Sequence, residues 1–262
     1  MSDLVNISKC FYVNLDRRPD RRDHIEKTLP FHAKRFSAFD GKTMEITPEI
    51  KEFHKLKMPR VHKTFKEWAV NLTESSMACN MSHYTLWKQL AEDKTAANYL
   101  ILEDDVVFRD NFVEEWNTKY AWHMPDDYLA IYPGGLRKRN EKGYPALTES
   151  YNKYYRIVKK NRAFGSNRET ASRYHHMNTQ SYILSKTGAE ILCKCVENYG
   201  FHRIEDVYIL HVFAGGVDPD ISNFFNTPKR VYHTDPQMTL QIAETEGNFH
   251  LAEDSDIKKK FT

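Results

Sequence analysis

Three consecutive carboxylates, Glu103, Asp104 and Asp105, are the residues of this sequence best suited to chemistry. They follow the apolar run Tyr99–Leu102 and precede Val106–Phe108, so they stand at the end of a strand predicted to be buried on both faces. Ionised carboxylates away from water need a compensating cation, and three adjacent ones also repel each other. Ligands of open α/β sheets bind at the carboxyl ends of strands. The run therefore predicts a divalent-metal site there, against the simpler alternative of a solvated acidic turn.

A second polar segment follows the first predicted strand, Cys10–Val13. Asp20 is expected to cap a helix that runs to about Leu29, because Pro19 disfavours helical geometry in the residue before it. A strand, a polar turn and a helix amino terminus together form a common anion site. Four arginines occupy this turn, at positions 17, 18, 21 and 22. The alternative is a solvated basic first turn.

Further elements are needed to place these two segments in one sheet. Residues 73–92 are predicted to form a largely buried helix that leads into the acidic strand. Ser82 and His83 lie inside this helix, where a single buried histidine is more often a core residue than a ligand. Two more strands are predicted at 127–132 and 179–184. Ser185 is expected to cap the next helix, and Gly200 to end it.

Several common binding devices are excluded. Gly41-Lys42-Thr43 is not a phosphate-binding loop, because Phe36 stands where that loop requires glycine, and no G-x-G-x-x-G motif occurs. A net charge of +2 over 262 residues gives no overall positive electrostatic field that would attract nucleic acid.

No apolar run reaches 18 residues, so no transmembrane segment is expected. Four cysteines without metal-type spacing and no visible secretory signal favour a cytoplasmic protein.

One stretch stands out by charge. Residues 137–173 carry 11 Lys and Arg against 3 Glu, with interspersed tyrosines. This segment, 136–173, is interpreted as a basic insert or flap over the active site, and the alternative is a solvated loop. The whole is expected to form a single domain over 1–250, followed by a charged tail over 251–262.

The chain resembles glycosyltransferase family 25, which includes bacterial lipooligosaccharide galactosyltransferases and procollagen galactosyltransferases. The resemblance runs from about Phe11 to Gln237 and is weakest across 44–70 and 136–173. Each matching stretch is weak alone, whereas their order and spacing together are specific. These stretches are Tyr12–Asp16 with Arg21 and Arg22, Ala38–Lys42, Ser82–Trp87, Leu100–Asp105, Tyr182–Lys186 with Gly188 and Ala189, and Asp206.

The resemblance implies an α/β fold of the GT-A type, with a mixed, mostly parallel central sheet flanked by helices. It also implies a nucleotide-sugar donor, namely a UDP-sugar with galactose as the first expectation, Mn²⁺ (or Mg²⁺), and inversion at the anomeric carbon. The acceptor is then a hydroxyl of a glycan or glycoconjugate. Metal ligands are expected at Glu103, Asp105 and His233, and Glu103 and Asp105 should share one side of an extended strand.

An inverting transfer also needs a base that removes the proton of the acceptor hydroxyl. Asp206 is the expected base, with Glu205 second, although both residues also suit the first turn of a helix for electrostatic reasons. Residues from several stretches are expected to contact the donor: Asn14, Arg21, Arg22, Asp40, Lys42, Ser82, His83, Glu103 and Asp104.

Two other function classes stay open at the level of sequence. A metal-dependent phosphoesterase could use the same carboxylates. A noncatalytic carbohydrate- or nucleic-acid-binding module could use the basic segment 137–173.

Overall fold

A computed structural model describes residues 3–55, 57, 72–134, 148–158, 179–201, 208–209, 212–213 and 230–241. Its strands are β1 (Lys9–Asn14), β2 (Lys34–Ser37), β3 (Asn98–Glu103), β4 (Val106–Phe108), β5 (Ala130–Tyr132), β6 (Thr148–Ser150), β7 (Tyr155–Val158), β8 (Ser181–Ser185), β9 (Val231–Thr234) and β10 (Thr239–Gln241). Its α-helices are α1 (Pro19–Thr28), α2 (Pro48–Phe53), α3 (Glu74–Glu92), α4 (Phe112–Glu115) and α5 (Lys186–Tyr199).

Eight of these strands form one mixed sheet in the order β2-β1-β3-β8-β5-β9-β7-β6. β7 and β8 run opposite to the other six strands. The expected α/β class and mixed sheet are confirmed, and the arrangement is consistent with a GT-A type fold. β4 pairs with β10 in a separate two-stranded sheet, which the sequence did not predict.

The central strand β3 is buried on both faces, as its continuous apolar sequence predicts. Tyr99 and Ile101 pack in a core cluster with Trp87 of α3 and Leu192 of α5. Alternate residues of the same strand pack on the other face with Ile25 of α1, as well as with Phe112 and Trp116. The sheet therefore separates two apolar layers, and polar groups can be presented only at its edges.

The helix ends explain where two predicted helices begin and stop. The Thr73 hydroxyl accepts a hydrogen bond from the Ser76 backbone N–H at 3.1 Å and caps α3. The Ser185 hydroxyl does the same for Gly188 at 3.0 Å and caps α5. α5 ends at Gly200, whose φ of +73° is the left-handed conformation that favours glycine. The helix predicted over 73–92 and the predicted start and end of α5 at Ser185 and Gly200 are confirmed.

One local prediction is wrong. Asp20 does not cap α1, because Pro19 is already helical, Arg18 is the capping residue, and Asp20 instead accepts from the Arg18 guanidinium at 2.6 and 2.9 Å. The helical stretch after β4 begins as the single α-turn α4 and continues as a π-helical turn over Trp116–Tyr120 and a 3₁₀ turn over Ala121–His123. Within the described ranges, no helix is long and apolar enough to span a membrane.

Candidate functional site

The carboxyl ends of the parallel strands β1, β2, β3, β5 and β9 meet at one edge of the sheet, which we call the rim. β3 ends at Glu103, and Asp104 and Asp105 form the turn that leads into β4. The acidic run therefore lies at the carboxyl end of the central strand, as predicted. Extended geometry stops at Glu103, so the expected alternation of sides does not continue to Asp105.

Asp104 is held by two residues from the junction of β1 and α1. The Asn14 side-chain amide donates to Asp104 Oδ2 at 2.7 Å, and Arg21 Nη1 donates to Asp104 Oδ1 at 2.9 Å. Asp104 and Asn14 are both buried, at 7% and 1% exposure. Charge-assisted hydrogen bonds of this kind compensate a buried carboxylate. The predicted anion-binding turn thus meets the predicted acidic run directly.

Of the arginines in this turn, Arg21 is the one that faces the carboxylates. Its Nη1 is also 4.0 Å from Asp105 Oδ2. Arg22 lies instead near Tyr12 and Asp16. Burial raises the pKa of Tyr12 to about 12 against a small opposing effect of the Arg22 charge, and the hydrogen bond from Arg35 lowers the pKa of Asp16, to which Arg22 adds little. The structure therefore separates two neighbouring arginines that the sequence could not distinguish.

Asp105 is the least compensated carboxylate of the rim. Gln241 Nε2 donates to its Oδ2 at 2.9 Å, whereas its buried Oδ1 has no hydrogen-bond partner among the described residues. Burial raises the pKa of Asp105 and the nearby Asp104 raises it further, while Arg21 opposes the shift. An unpaired carboxylate oxygen is a hard donor of the kind that Mn²⁺ and Mg²⁺ prefer. Asp105 therefore fits the role of a metal ligand.

Glu103 has different partners from Asp105. The Thr179 hydroxyl donates to Glu103 Oε1, and the Glu103 backbone N–H donates to the Gln180 carbonyl at 3.0 Å. Thr179 and Gln180 immediately precede β8, which runs antiparallel to β3. Glu103 is thus tied to the strand beside it rather than to the β1–α1 junction.

His233 lies in β9, three strands away from β3 in the sheet. Three inter-strand spacings amount to roughly 14 Å between backbones. His233 is 4% exposed, and burial lowers its pKa. In the part of the chain that the structure describes, no three His, Cys, Asp or Glu side chains are arranged to hold a metal ion. The structure does not bring Glu103, Asp105 and His233 together as one ligand set.

Ser82 links α3 to the loop after β2. Its hydroxyl accepts from the Phe39 backbone N–H at 2.9 Å and donates to the Ala78 carbonyl at 2.8 Å. The side chain is 1% exposed. Gly41 of the same loop packs closely against the first turn of α3, because a Cβ there would lie 2.5 Å from the Ser75 Cα. Ser82 therefore fixes the loop after β2 to helix α3.

His83 is wholly buried between α3 and the sheet. Its Nδ1 lies 2.8 Å from the Tyr182 hydroxyl, which also accepts from Trp87 Nε1 at 2.9 Å. Burial lowers the pKa of His83 to about 3, so the ring is neutral at physiological pH. The structure places this histidine in the core beneath the rim.

Asp40 lies on the loop that follows β2. Its Oδ2 accepts from Arg17 Nε at 2.7 Å, and its Oδ1 accepts from the Lys42 backbone N–H at 2.9 Å. Arg35 of β2 donates to the Asn14 side-chain oxygen at 3.0 Å and so orients the amide that holds Asp104. Sequence reasoning missed Arg35, although a charged residue in a four-residue strand next to β1 is a usable signal.

Asp206 and Glu205, the expected bases, lie outside the described residues, as does most of the basic segment 136–173. Residues 148–158, in the middle of this segment, form the β6–β7 hairpin at the sheet edge. The described part of the candidate site is therefore the acidic run with the β1–α1 junction and the loop after β2.

A family comparison gives the class of protein. The model of glycosyltransferase family 25, described as an LPS biosynthesis protein family, matches residues 7–208 of this chain. This range covers most of the chain, including β1, the acidic run and α5. The chain therefore belongs to glycosyltransferase family 25.

Individual relatives share parts of the chain. It is 31% identical over 155 residues to mouse procollagen galactosyltransferase 2, covering 55% of this chain and 24% of the relative. It is 33% identical over 127 residues to a procollagen lysyl hydroxylase and glycosyltransferase of Acanthamoeba polyphaga mimivirus, covering 43% of this chain and 13% of the relative. The chain thus matches less than a third of the length of either relative.

Among solved structures, the chain is similar to a glycosyltransferase involved in the glycosylation of the major capsid of PBCV-1. The sequence identity is 10% and the TM-score 0.42, over 94% of this chain and 98% of that one.

Proposed function

We propose that this glycosyltransferase moves a sugar from a UDP-sugar to a hydroxyl group of a glycan or glycoconjugate, with a divalent metal and with inversion at the anomeric carbon. Galactose is the first donor sugar to test, because the mouse relative is named as a galactosyltransferase. A glycosyltransferase requires a sugar donor and an acceptor, and the rim offers the chemistry for the donor.

The observation that carries this proposal is the environment of Asp105. A carboxylate with one buried oxygen unpaired among the described residues lies at the carboxyl end of the central strand, and a guanidinium is 4.0 Å from its other oxygen. A nucleoside diphosphate bound through a metal needs this combination, because anionic ligands hold the cation while a fixed positive charge attracts the phosphates.

In this proposal, the residues of the rim have different roles. Asp105 would hold Mn²⁺ or Mg²⁺, which as a Lewis acid stabilises the charge that develops on the leaving diphosphate. Asn14 and Arg21 fix Asp104 by the hydrogen bonds described above, so this carboxylate keeps one orientation. Arg35 in turn holds the Asn14 amide. Prearranged charges of this type lower a barrier without reorganisation during the reaction.

Asp206 is proposed as the base that accepts the proton of the attacking hydroxyl, with Glu205 as the second candidate. Asp206→Asn should abolish transfer while binding of UDP survives, and Glu205→Gln should leave transfer largely intact. A turnover of Asp206→Asn within about tenfold of the wild type, or about 1.4 kcal/mol of barrier, would refute this assignment.

The proposed function is tested by a donor-hydrolysis and transfer screen. UDP- and GDP-sugars would be incubated with the protein and Mn²⁺, with and without chelator, in the wild type and in Asp105→Asn. We expect metal-dependent turnover of a UDP-sugar that Asp105→Asn loses and that Asp110→Asn, a change at an exposed carboxylate, retains. Phosphatase turnover without any sugar transfer would favour the phosphoesterase alternative instead.

A further inference from the structure

A glutamine beside the acidic run is buried in an unusual state. Gln180 has 0% exposure, and neither its Nε2 nor its Oε1 has a hydrogen-bond partner among the described residues. Buried side-chain amides are normally hydrogen-bonded, because an unpaired amide loses its water without compensation. Among the described residues, the Gln180 amide thus keeps hydrogen-bonding capacity that a ligand could use.

The position of Gln180 relates it to the rim. Its backbone carbonyl accepts from the Glu103 N–H at 3.0 Å, which extends the β3–β8 ladder by one residue beyond the Leu102–Ser181 pair. Directly opposed residues of an antiparallel pair have neighbouring side chains on the same face. The Gln180 side chain therefore lies on the same face of the sheet as that of Glu103, which is two residues before Asp105.

The same face of the sheet carries a second unpaired polar atom. Residues two apart in a strand lie on the same face, so Gln180 shares a face with Tyr182, and His233 shares a face with Val231. Tyr182 and Val231 pack in one core cluster, so all four side chains lie on one face of the sheet. His233 Nε2 is buried and, like the Gln180 amide, has no partner among the described residues. On the face that Glu103 shares, the Gln180 amide and His233 Nε2 are therefore unpaired among the described residues. Asp105 Oδ1 is a further unpaired atom of the rim.

We infer that Gln180 is a specificity-determining residue that binds hydroxyl groups of the donor sugar; this inference rests on the proposed function. A carboxamide offers one acceptor and two donor hydrogens, which match two adjacent sugar hydroxyls, each able to donate and accept. The donor sugar is attached to the diphosphate, so it must lie within one ring of the group bound at Asp105.

Burial makes this contact selective. When a site is built to pair a substrate hydroxyl, a ligand without that hydroxyl leaves the polar group of the protein unpaired, and discrimination is large. Gln180 should therefore contribute to the affinity for the sugar portion and leave the affinity for the nucleotide portion unchanged.

The test measures the affinities for UDP and for UDP-galactose by isothermal titration calorimetry in the presence of Mn²⁺. If the donor screen selects another UDP-sugar, that sugar nucleotide replaces UDP-galactose. Gln180→Met, which keeps the length of the side chain and removes its polar atoms, should weaken UDP-sugar binding tenfold or more and change UDP binding less than twofold. Its melting temperature should equal or exceed that of the wild type, since Gln180 makes no side-chain hydrogen bond to any described residue. Gln89→Met, at an exposed position of α3 near Lys9 at the opposite edge, is the control and should change neither affinity.

The outcomes separate the two proposals. If the wild-type protein neither binds nor turns over any UDP-sugar, the proposed function is overturned. If the wild type binds and turns over a UDP-sugar, and Gln180→Met leaves the ratio of UDP-sugar affinity to UDP affinity unchanged, only the role of Gln180 is overturned. A raised KM for the acceptor without a change in donor affinity also contradicts it. If Gln180→Met does not fold, Gln180 has a structural partner and the inference fails, unless Gln180→Asn folds and shows the selective loss.

Discussion

Asp105 illustrates at the scale of one residue how stability and function oppose each other. Its ionised form is disfavoured by burial, as the raised pKa shows, and Arg21 offsets only part of this cost. A carboxylate in that state destabilises the folded protein at neutral pH, since the folded state favours the protonated form. In the proposed function, the same deficit favours the binding of a cation to Asp105.

Asp105→Asn should therefore stabilise the metal-free protein while it removes metal-dependent turnover. The neutral amide no longer requires a buried negative charge, and it can still accept from Gln241. Urea unfolding at pH 7.5 with chelator measures the first effect. Asp110→Asn serves as the exposed control, and an Asp105→Asn protein less stable than the wild type would contradict this explanation.

The sequence located this carboxylate but not its partners. Three acidic residues after an apolar run indicate a strand end, and four arginines after Cys10–Val13 indicate an anion site. Asn14 and Arg21 stand 90 and 83 residues away from Asp104. Which of the arginines meets the acidic run depends on the helical phase of α1 and the neighbouring position of β1 and β3, which local patterns do not specify.

At the scale of elements, Ser82 shows how α3 supports the rim. Removal of its hydroxyl breaks two hydrogen bonds, one within α3 and one to the Phe39 backbone N–H in the loop after β2. Ser82→Ala should lower the free energy of unfolding by about 1–2 kcal/mol, because the N–H loses its partner.

Thr85→Val is a matched control for this prediction. The Thr85 hydroxyl also donates to the carbonyl four residues earlier, that of Met81, at 2.8 Å, and among the described residues it bonds to no other element. Urea unfolding of both variants should show the larger loss for Ser82→Ala. Equal losses would mean that the link to Phe39 contributes nothing to stability.

The longer elements were largely predictable, and so were the ends of α3 and α5. α3 and α5 have apolar stripes and capping hydroxyls, so their bounds follow from local chemistry. The direction of β8 did not follow, because a strand buried on both faces has the same apolar pattern whether it runs parallel or antiparallel. β10 has only three residues, which is too short for a periodic signal.

At the scale of the whole molecule, His83 links acid stability to the core. Its pKa is near 6.5 in an unfolded chain and about 3 in the folded protein, because burial disfavours the charged ring. Between these values the unfolded chain binds more protons, so the free energy of unfolding falls as the pH falls through this window.

The His83→Asn variant should lack this contribution. From pH 7.5 to 5.5 the wild type should lose about 1.4 kcal/mol more stability than His83→Asn, a value that follows from one proton taken up on unfolding. Urea unfolding at both pH values gives the difference, and His32→Asn, at an exposed position, should behave like the wild type. Parallel pH dependence in wild type and His83→Asn would show that His83 is not the group responsible.

The central claim is that a divalent ion and a sugar nucleotide meet at the rim, on Asp105. A crystal grown with UDP and Mn²⁺, with data collected at the manganese absorption edge, tests it most directly. The account predicts an anomalous peak bound by an Asp105 carboxylate oxygen and by the diphosphate. A diphosphate bound elsewhere, or a rim without manganese and with Asp105 turned to solvent, would contradict it.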